Sequence, residues 1–131
     1  MSAIEAAAPS ATPPTTAPTR RERLREQSRA EIKGAARAQL VANGPAGIQL
    51  RAVARDVGLT APALYRYFPS RDELLTALII DAYDSLGEAV EKADGRVPRA
   101  DYADRWRACA RAVRRWARQR PHEYALIYGS P

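Results

Sequence analysis

The sequence has very few of the residues that mark disulfide-rich and metal-binding proteins. It contains one cysteine, Cys109, and one histidine, His122, in 131 residues. A single cysteine excludes an internal disulfide framework and suits a reducing compartment, so we expect a cytoplasmic location. Because His122 has no cysteine, histidine or carboxylate cluster around it in sequence, we expect no metal site.

Long apolar runs and catalytic patterns are also missing. No apolar run approaches the roughly 20 residues that span a bilayer, so we expect no membrane partner. The N-terminus carries Glu5 and has no basic-then-apolar order, which does not fit a secretory signal. The sequence shows no glycine-rich phosphate loop, paired catalytic carboxylates or nucleophile beside a base. We therefore predict a protein that is not an enzyme and uses no cofactor.

Charge is distributed unevenly along the chain, whose formal net charge is +6. Residues 20–72 hold 11 Arg/Lys against 5 Asp/Glu, residues 73–94 hold 1 against 6, and residues 95–131 hold 9 against 3. A basic block attracts the phosphate backbone of nucleic acids by releasing counterions. Since 19 of the 21 basic residues are arginines in an alanine-rich chain, a coding bias accounts for part of this excess. Charge alone is therefore weak evidence for a nucleic-acid partner.

The most specific pattern is QLRAVARDVGLTAPALYRYFPSR, at residues 49–71. Apolar residues three or four apart predict a short helix over about 49–57. Gly58 can adopt the left-handed conformation that ends a helix. Thr60 is a good N-cap for a second helix over about 61–67, with Pro62 in its first turn. The pattern therefore predicts a helix-turn-helix unit.

Longer amphipathic helices are predicted on both sides of this unit. They cover about 21–43, 71–92 and 100–119, and an apolar segment follows Pro121. Ser70 and Glu73 form a candidate capping box for the second of them. Residues 1–19, with four prolines and almost no large apolar groups, are predicted to be a disordered tail. The predicted fold is all-α, with a three-helix helix-turn-helix DNA-binding domain at 20–72 and a partial helical bundle at 73–131.

The segment QLRAVARDVGLTAPALYRYFPSRDELL resembles the DNA-binding signature of TetR-type (tetracycline-repressor-like) transcriptional regulators. The shared motifs are L-x-x-V-A-x-x-x-G-L-T, A-L-Y-x-Y-F and S-R-D-E-L-L, and the resemblance covers about residues 22–80. It implies a sequence-specific, ligand-responsive repressor that binds a palindromic double-stranded operator as a homodimer. The alternative is a nonspecific nucleic-acid-binding fragment or a protein-interaction module without a complete regulatory domain.

The resemblance also implies a DNA-binding surface around the second short helix. Its predicted members are Gln49, Arg51, Thr60, Ala61, Pro62, Ala63, Tyr65, Arg66, Tyr67 and Arg71. Arg51, the only long donor in the first turn of its helix, fits bidentate readout of guanine O6 and N7, with a phosphate contact as the equal alternative. Ala61 and Ala63 offer methyl contacts or simply allow close approach. For Gln49 and Thr60, helix capping is a sufficient explanation.

Tyr65 and Tyr67 occupy positions from which the resemblance implies phosphate contacts. The alternative is that one of the two tyrosines packs under the first helix. Arg66, between them, is expected to be exposed and to contact a phosphate or a base. Arg71 is expected to clamp a phosphate together with the N-terminus of its own helix.

The C-terminal part is predicted to form an early portion of an effector-binding and dimerisation domain, for an unknown small molecule. Its candidate pocket residues keep a heptad-like spacing on one helix: Trp106, Cys109, Val113 and Trp116. The alternative is a plain core stripe, in which Cys109 is only a packed side chain.

Overall fold

The computed structural model describes residues 16–129, which contain six α-helices and no strand. The helices are α1 (Arg20–Asn43), α2 (Leu50–Asp56), α3 (Ala61–Tyr65), α4 (Arg71–Gly95), α5 (Tyr102–Gln119) and α6 (Pro121–Tyr128), and a 3₁₀ turn covers Pro45–Gly47. The predicted all-α class and the helix-turn-helix unit are confirmed. Residues 1–15 of the predicted tail lie outside the described range.

The first helix begins in a capping box that the sequence pattern did not predict. The Thr19 hydroxyl accepts a hydrogen bond from the Glu22 backbone N–H, and the Glu22 carboxylate accepts one from the Thr19 N–H. This reciprocal pair satisfies two of the free donors at a helix start. The composition predicts Thr19 as part of the tail, but Thr19 is the N-cap of α1. At α4, by contrast, only the Ser70 half of the predicted box is formed, with the Ser70 hydroxyl accepting from the Glu73 N–H.

The turn between α2 and α3 follows the predicted chemistry. Gly58 has φ +73°, and Thr60 accepts the Ala63 N–H at 3.3 Å as the N-cap of α3. The third helix ends at Tyr65, two residues earlier than predicted. The backbone N–H groups of Tyr67 and Phe68 both donate to the Leu64 carbonyl, at 2.9 and 3.0 Å, which tightens the chain before Pro69.

Two apolar clusters are joined by α4. The first contains buried residues from α1 to α4, the loop residue Ile48 and one residue of α6: Ile32, Ala36, Leu40, Ile48, Val53, Ala54, Leu64, Phe68, Leu74, Leu78 and Leu126. The second cluster contains Ala82, Leu86 and Trp116. Because α4 contributes Leu74 and Leu78 to the first cluster and Ala82 and Leu86 to the second, the core beneath the helix-turn-helix extends past residue 72.

Ion pairs hold α4 to its neighbours at two places. Asp81 accepts from Lys33 at 2.9 Å and from Arg37 at 3.0 Å, which links α4 to α1. Burial alone would raise the pKa of Asp81, but the two hydrogen-bonded cations outweigh it and lower that pKa. At the other end of α4, hydrogen bonds from Arg105 and then Arg99 lower the pKa of Asp94 to about 2.

The Asp94 pair predicts a specific loss of stability in acid. A carboxylate whose folded-state pKa lies below its ordinary value of about 3.9 stabilises the fold above that value and loses this contribution as the pH falls toward its folded pKa. We expect Asp94→Asn to lower the free energy of unfolding at pH 6, and the difference from wild type to shrink between about pH 4 and about pH 2. Urea unfolding across this range measures it, with the exposed Asp84→Asn as control. A difference independent of pH would contradict the assignment.

Two glycines predict opposite effects of the same substitution. Gly58 has φ +73°, which costs an L-residue about 1–2 kcal/mol. Gly34 lies inside α1 with no atom within 4 Å of an added Cβ, so alanine there should gain about 0.5–1 kcal/mol. We expect Gly58→Ala to lower and Gly34→Ala to raise the urea midpoint. Equal effects of the two substitutions would refute the left-handed turn.

Candidate DNA interface

The start of α2 is fixed by a glutamine of α1. The Gln39 side chain accepts the Gln49 backbone N–H at 3.1 Å and donates to the Asp56 carboxylate at 3.3 Å. It therefore ties α1 to both ends of α2. Gln49 occupies the N-cap position but makes no side-chain cap, so capping does not explain this side chain as predicted. Arg51 lies exposed in the first turn that this arrangement holds in place.

The start of α3 presents only small side chains. Pro62 is exposed and Ala61 and Ala63 are half-buried, while the Thr60 hydroxyl is used by the helix cap. Leu64 is fully buried beneath them in the first core cluster. Because these side chains are short, the start of α3 can approach another surface closely. The nearest long hydrogen-bond donors lie at positions outside this first turn.

The two tyrosines have different environments. Tyr65 is 41% exposed, whereas Tyr67 is half-buried, packs against the first core cluster and has the Arg25 guanidinium 5.0 Å from its ring centroid. The Tyr67 carbonyl also accepts from Arg29 of α1 at 3.1 Å. This placement of Tyr67 agrees with the alternative that one tyrosine packs under the first helix. The phosphate contact of Tyr65 stays a prediction.

Arg71 has partners that the sequence did not indicate. Its Nε donates to the Ile48 carbonyl at 3.0 Å, and its Nη2 donates to the Pro45 carbonyl. Both carbonyls belong to the turn that leads into α2. The half-buried guanidinium therefore braces the N-terminus of α4 against this turn, and its phosphate contact stays a prediction. Residue spacing does not predict a side-chain hydrogen bond to a backbone carbonyl that is distant in sequence.

A basic groove lies beside α3 and brings Ala63, Arg66 and Tyr67 of the predicted site together with residues of α1. The groove has a volume of about 800 Å³ and lies between the N-terminal turns of α1 and α3. Four arginines line it, Arg20, Arg21 and Arg25 from α1 and Arg66 after α3, together with Ala63. The signal in the sequence is the arginine-rich segment RRERLR at residues 20–25, but residue spacing does not show that this part of α1 lies beside α3.

The predicted effector residues do not share one environment. Trp106 is 77% exposed and Cys109 and Val113 are half-buried, while Trp116 is 4% exposed and donates to the Ser85 hydroxyl at 3.0 Å. The face of α5 against α4 contains buried Ala112 and Trp116. Trp106 lies about 120° around the helix from Ala112, at 3.6 residues per turn. Trp106 therefore does not share the buried face of α5, and the expected single stripe of four residues is wrong at this position. The effector pocket stays a prediction.

Other kinds of site find little support in the described range. Residues 16–129 hold no group of three or more histidine, cysteine, aspartate or glutamate side chains placed to bind a metal ion. No helix in this range has the length and apolar character that crossing a membrane requires.

The chain matches two models of one regulator family. Residues 32–78 match bacterial regulatory proteins of the tetR family, and residues 106–131 match a tetracyclin repressor-like C-terminal domain. HTH-type transcriptional regulators of Mycobacterium bovis and Mycobacterium tuberculosis are 47% identical over 102 residues, which are 78% of this chain and 44% of theirs. The chain thus spans less than half the length of these relatives.

A solved structure agrees with the sequence matches. The crystal structure of SCO4313, described as a regulatory protein, has a TM-score of 0.74 and 45% sequence identity. The similarity covers 86% of this chain and 53% of that one. Both domain matches follow the order of the helices described above, so the chain belongs to the TetR family of bacterial regulatory proteins.

Proposed function

We propose that this chain binds double-stranded DNA sequence-specifically and regulates transcription, without catalytic activity. The observation that carries the proposal is the helix-turn-helix itself. A buried Leu64 and a capped turn hold α3 with its small residues outward, and exposed Arg51 flanks it. The relatives named HTH-type transcriptional regulators support the same function.

The mechanism of recognition follows from this shape. The N-terminal part of a recognition helix enters the major groove, where side chains reach the base edges. Ala61, Pro62 and Ala63 allow that close approach and offer methyl or methylene contacts to thymine. In this proposal Arg51 supplies the long donor for a bidentate bond to guanine, and the exposed Tyr65 and Arg66 contact phosphates. A bidentate pair of this kind discriminates by about 1–3 kcal/mol per base.

The regulatory part of the proposal is a homodimer on a palindromic operator. Two copies place their recognition helices about one DNA turn apart, as in other dimeric helix-turn-helix proteins. In this proposal an unknown small effector acts on the C-terminal helices and releases the repressor, in the cytoplasm. Because α4 belongs to both apolar clusters, a displacement of the second cluster can move the helix-turn-helix unit through this one helix.

Selection of duplexes from a random pool tests the function directly. We expect enrichment of a two-fold symmetric motif at two salt concentrations. Binding only at low salt without a motif would instead identify a nonspecific nucleic-acid-binding fragment. Failure to retain DNA at either concentration would overturn DNA binding altogether.

Arg51→Ala tests which part of DNA this arginine contacts. If Arg51 reads guanine, the variant should lose preference at one base position in each half-site, at a cost of about 1–3 kcal/mol. A phosphate contact would instead weaken all sequences equally and lower the salt dependence by about one counterion. Titrations of the selected duplex and of point-substituted duplexes measure this. The exposed Arg96→Ala is the control for loss of one charge.

The brace at Arg71 predicts that lysine cannot replace it. Arg71→Lys keeps the charge but cannot present the same two donors to the Ile48 and Pro45 carbonyls. We expect both Arg71→Lys and Arg71→Gln to lower the free energy of unfolding by about 1–3 kcal/mol. Both should also weaken binding of the selected duplex. A phosphate clamp would leave Arg71→Lys close to wild type in both measurements.

A further inference from the structure

A pocket of about 380 Å³ lies between α1 and the turn that joins α5 to α6. One wall belongs to the last two turns of α1 and contains Arg37, Leu40 and Val41, and the other wall is formed by residues 119–123. Small-molecule sites typically have volumes of roughly 300–1,000 Å³, so the pocket has room for a small ligand. It is separate from the groove beside α3, because the two share no lining residue.

Hydrogen-bond donors outnumber carboxylates in this pocket. Four lining side chains can donate: Arg37, Gln119, Arg120 and His122. The one lining carboxylate, Glu123, accepts from Arg120 at 3.4 Å, and Arg37 donates to Asp81 of α4 at 3.0 Å. A guanidinium has five N–H donors, so neither arginine is saturated by these bonds. Both side chains are also accessible, at 37% and 49% exposure, and the lining therefore favours an anion.

The pocket also offers apolar surface next to these donors. Val41 is 59% exposed, although the adjacent Leu40 is buried in the first core cluster. Pro121 is exposed on the opposite wall. A ligand with an apolar body beside its charge would remove this surface from water, which a bare inorganic anion cannot do to the same extent.

An adjoining pocket shows on which side of the arginines an anion is favoured. It has a volume of about 260 Å³ and shares Arg37, Arg120 and Glu123 with the first pocket. Its remaining lining residues are Asp81, Asp84, Ser85 and Glu88. Four carboxylates therefore face two guanidinium groups there, and like charges repel an anion. The Val41 side, with one carboxylate, is the side that favours an anion.

We propose that the pocket between α1 and the α5–α6 turn binds a small organic carboxylate with an apolar body, such as an aromatic acid. Its carboxylate accepts charge-assisted hydrogen bonds from Arg37 and Arg120, and its body lies against Val41 and Pro121. One wall lies in the match to tetR family regulatory proteins and the other in the match to the C-terminal domain. A bound carboxylate therefore stabilises the present arrangement of these two parts. The proposal goes beyond DNA binding and does not depend on it.

Benzoate is the probe that tests this pocket, and His122 is the reporter. Since His122 is the only histidine in the chain, its imidazole proton signals in an NMR spectrum are unambiguous. We expect benzoate to shift these signals saturably at fixed pH and ionic strength. Benzamide has nearly the same shape without the charge, and it should bind about 10-fold more weakly or worse, because the arginines lose a charged acceptor.

Inorganic phosphate supplies charge without an apolar body and should also bind more weakly than benzoate. Three results would overturn the proposal. They are the absence of a saturable His122 shift with benzoate, equal affinities for benzoate and benzamide, and an affinity for phosphate that matches or exceeds that for benzoate.

Arg120→Gln tests the polar wall of the pocket. We expect it to weaken benzoate binding about 10-fold or more and to leave benzamide binding nearly unchanged. The matched control is Arg118→Gln, which removes an exposed arginine two residues earlier that does not line the pocket. Its affinity for benzoate should stay within about twofold of wild type, because a solvent-exposed charge outside the site is screened. Wild-type affinity in Arg120→Gln, or an equal loss in Arg118→Gln, would refute the site.

Val41→Ser tests the apolar wall. We expect it to weaken benzoate binding and to leave phosphate binding unchanged, since only the organic ligand covers this side chain. An equal loss for both ligands would contradict the apolar contact. Thermal unfolding without ligand checks that each variant is folded, and if Arg120→Gln is not, the comparison of benzoate with benzamide on wild type still decides the outcome.

Discussion

The packing of α4 against two sets of partners is the constraint on which the other features depend. Leu74 and Leu78 complete the core beneath the helix-turn-helix, and Ala82 and Leu86 meet Trp116 of α5. Asp81 lies between these pairs and binds Lys33 and Arg37 of α1. The helix cannot shift along its axis without disturbing both cores and these ion pairs, because close-packed interiors tolerate few intermediate arrangements.

Polar contacts from α4 and from α1 fix the start of α2. Arg71, in the first turn of α4, holds the carbonyls of Pro45 and Ile48, and the chain then enters α2 within two residues. On the other side, Gln39 holds the Gln49 N–H. The first turn of α2, which carries Arg51, is therefore supported from both α1 and α4. If Arg51 reads a guanine as proposed, this support holds the side chain at the angle that a bidentate bond requires.

Local sequence predicted those features that depend on local chemistry. Gly58, Thr60 and the apolar spacing of α2 each act within a few residues, so the turn and its helices were predicted correctly. The partners of Arg71 and Tyr67 were not, because they lie 23 or more residues away in sequence. Trp106 shows the same limit, since a heptad-like spacing did not reveal which face of α5 meets α4. The spacing of apolar residues predicts that a helix is amphipathic, whereas the helix packed against it determines which face is buried.

The composition of α3 limits the base contacts that this helix can make in the proposed DNA interface. Its first turn offers methyl and ring carbons but no long hydrogen-bond donor, so base contacts from α3 itself contribute little polar discrimination. In the proposed complex with DNA, affinity would then come largely from phosphate contacts, which depend on charge and not on base sequence. Four arginines line the groove beside α3, and Arg25 and Arg29 join α1 to the end of α3 by contacts with Tyr67 and Phe68. Those aromatic residues therefore fix the position of two α1 arginines relative to α3, although Phe68 itself is buried.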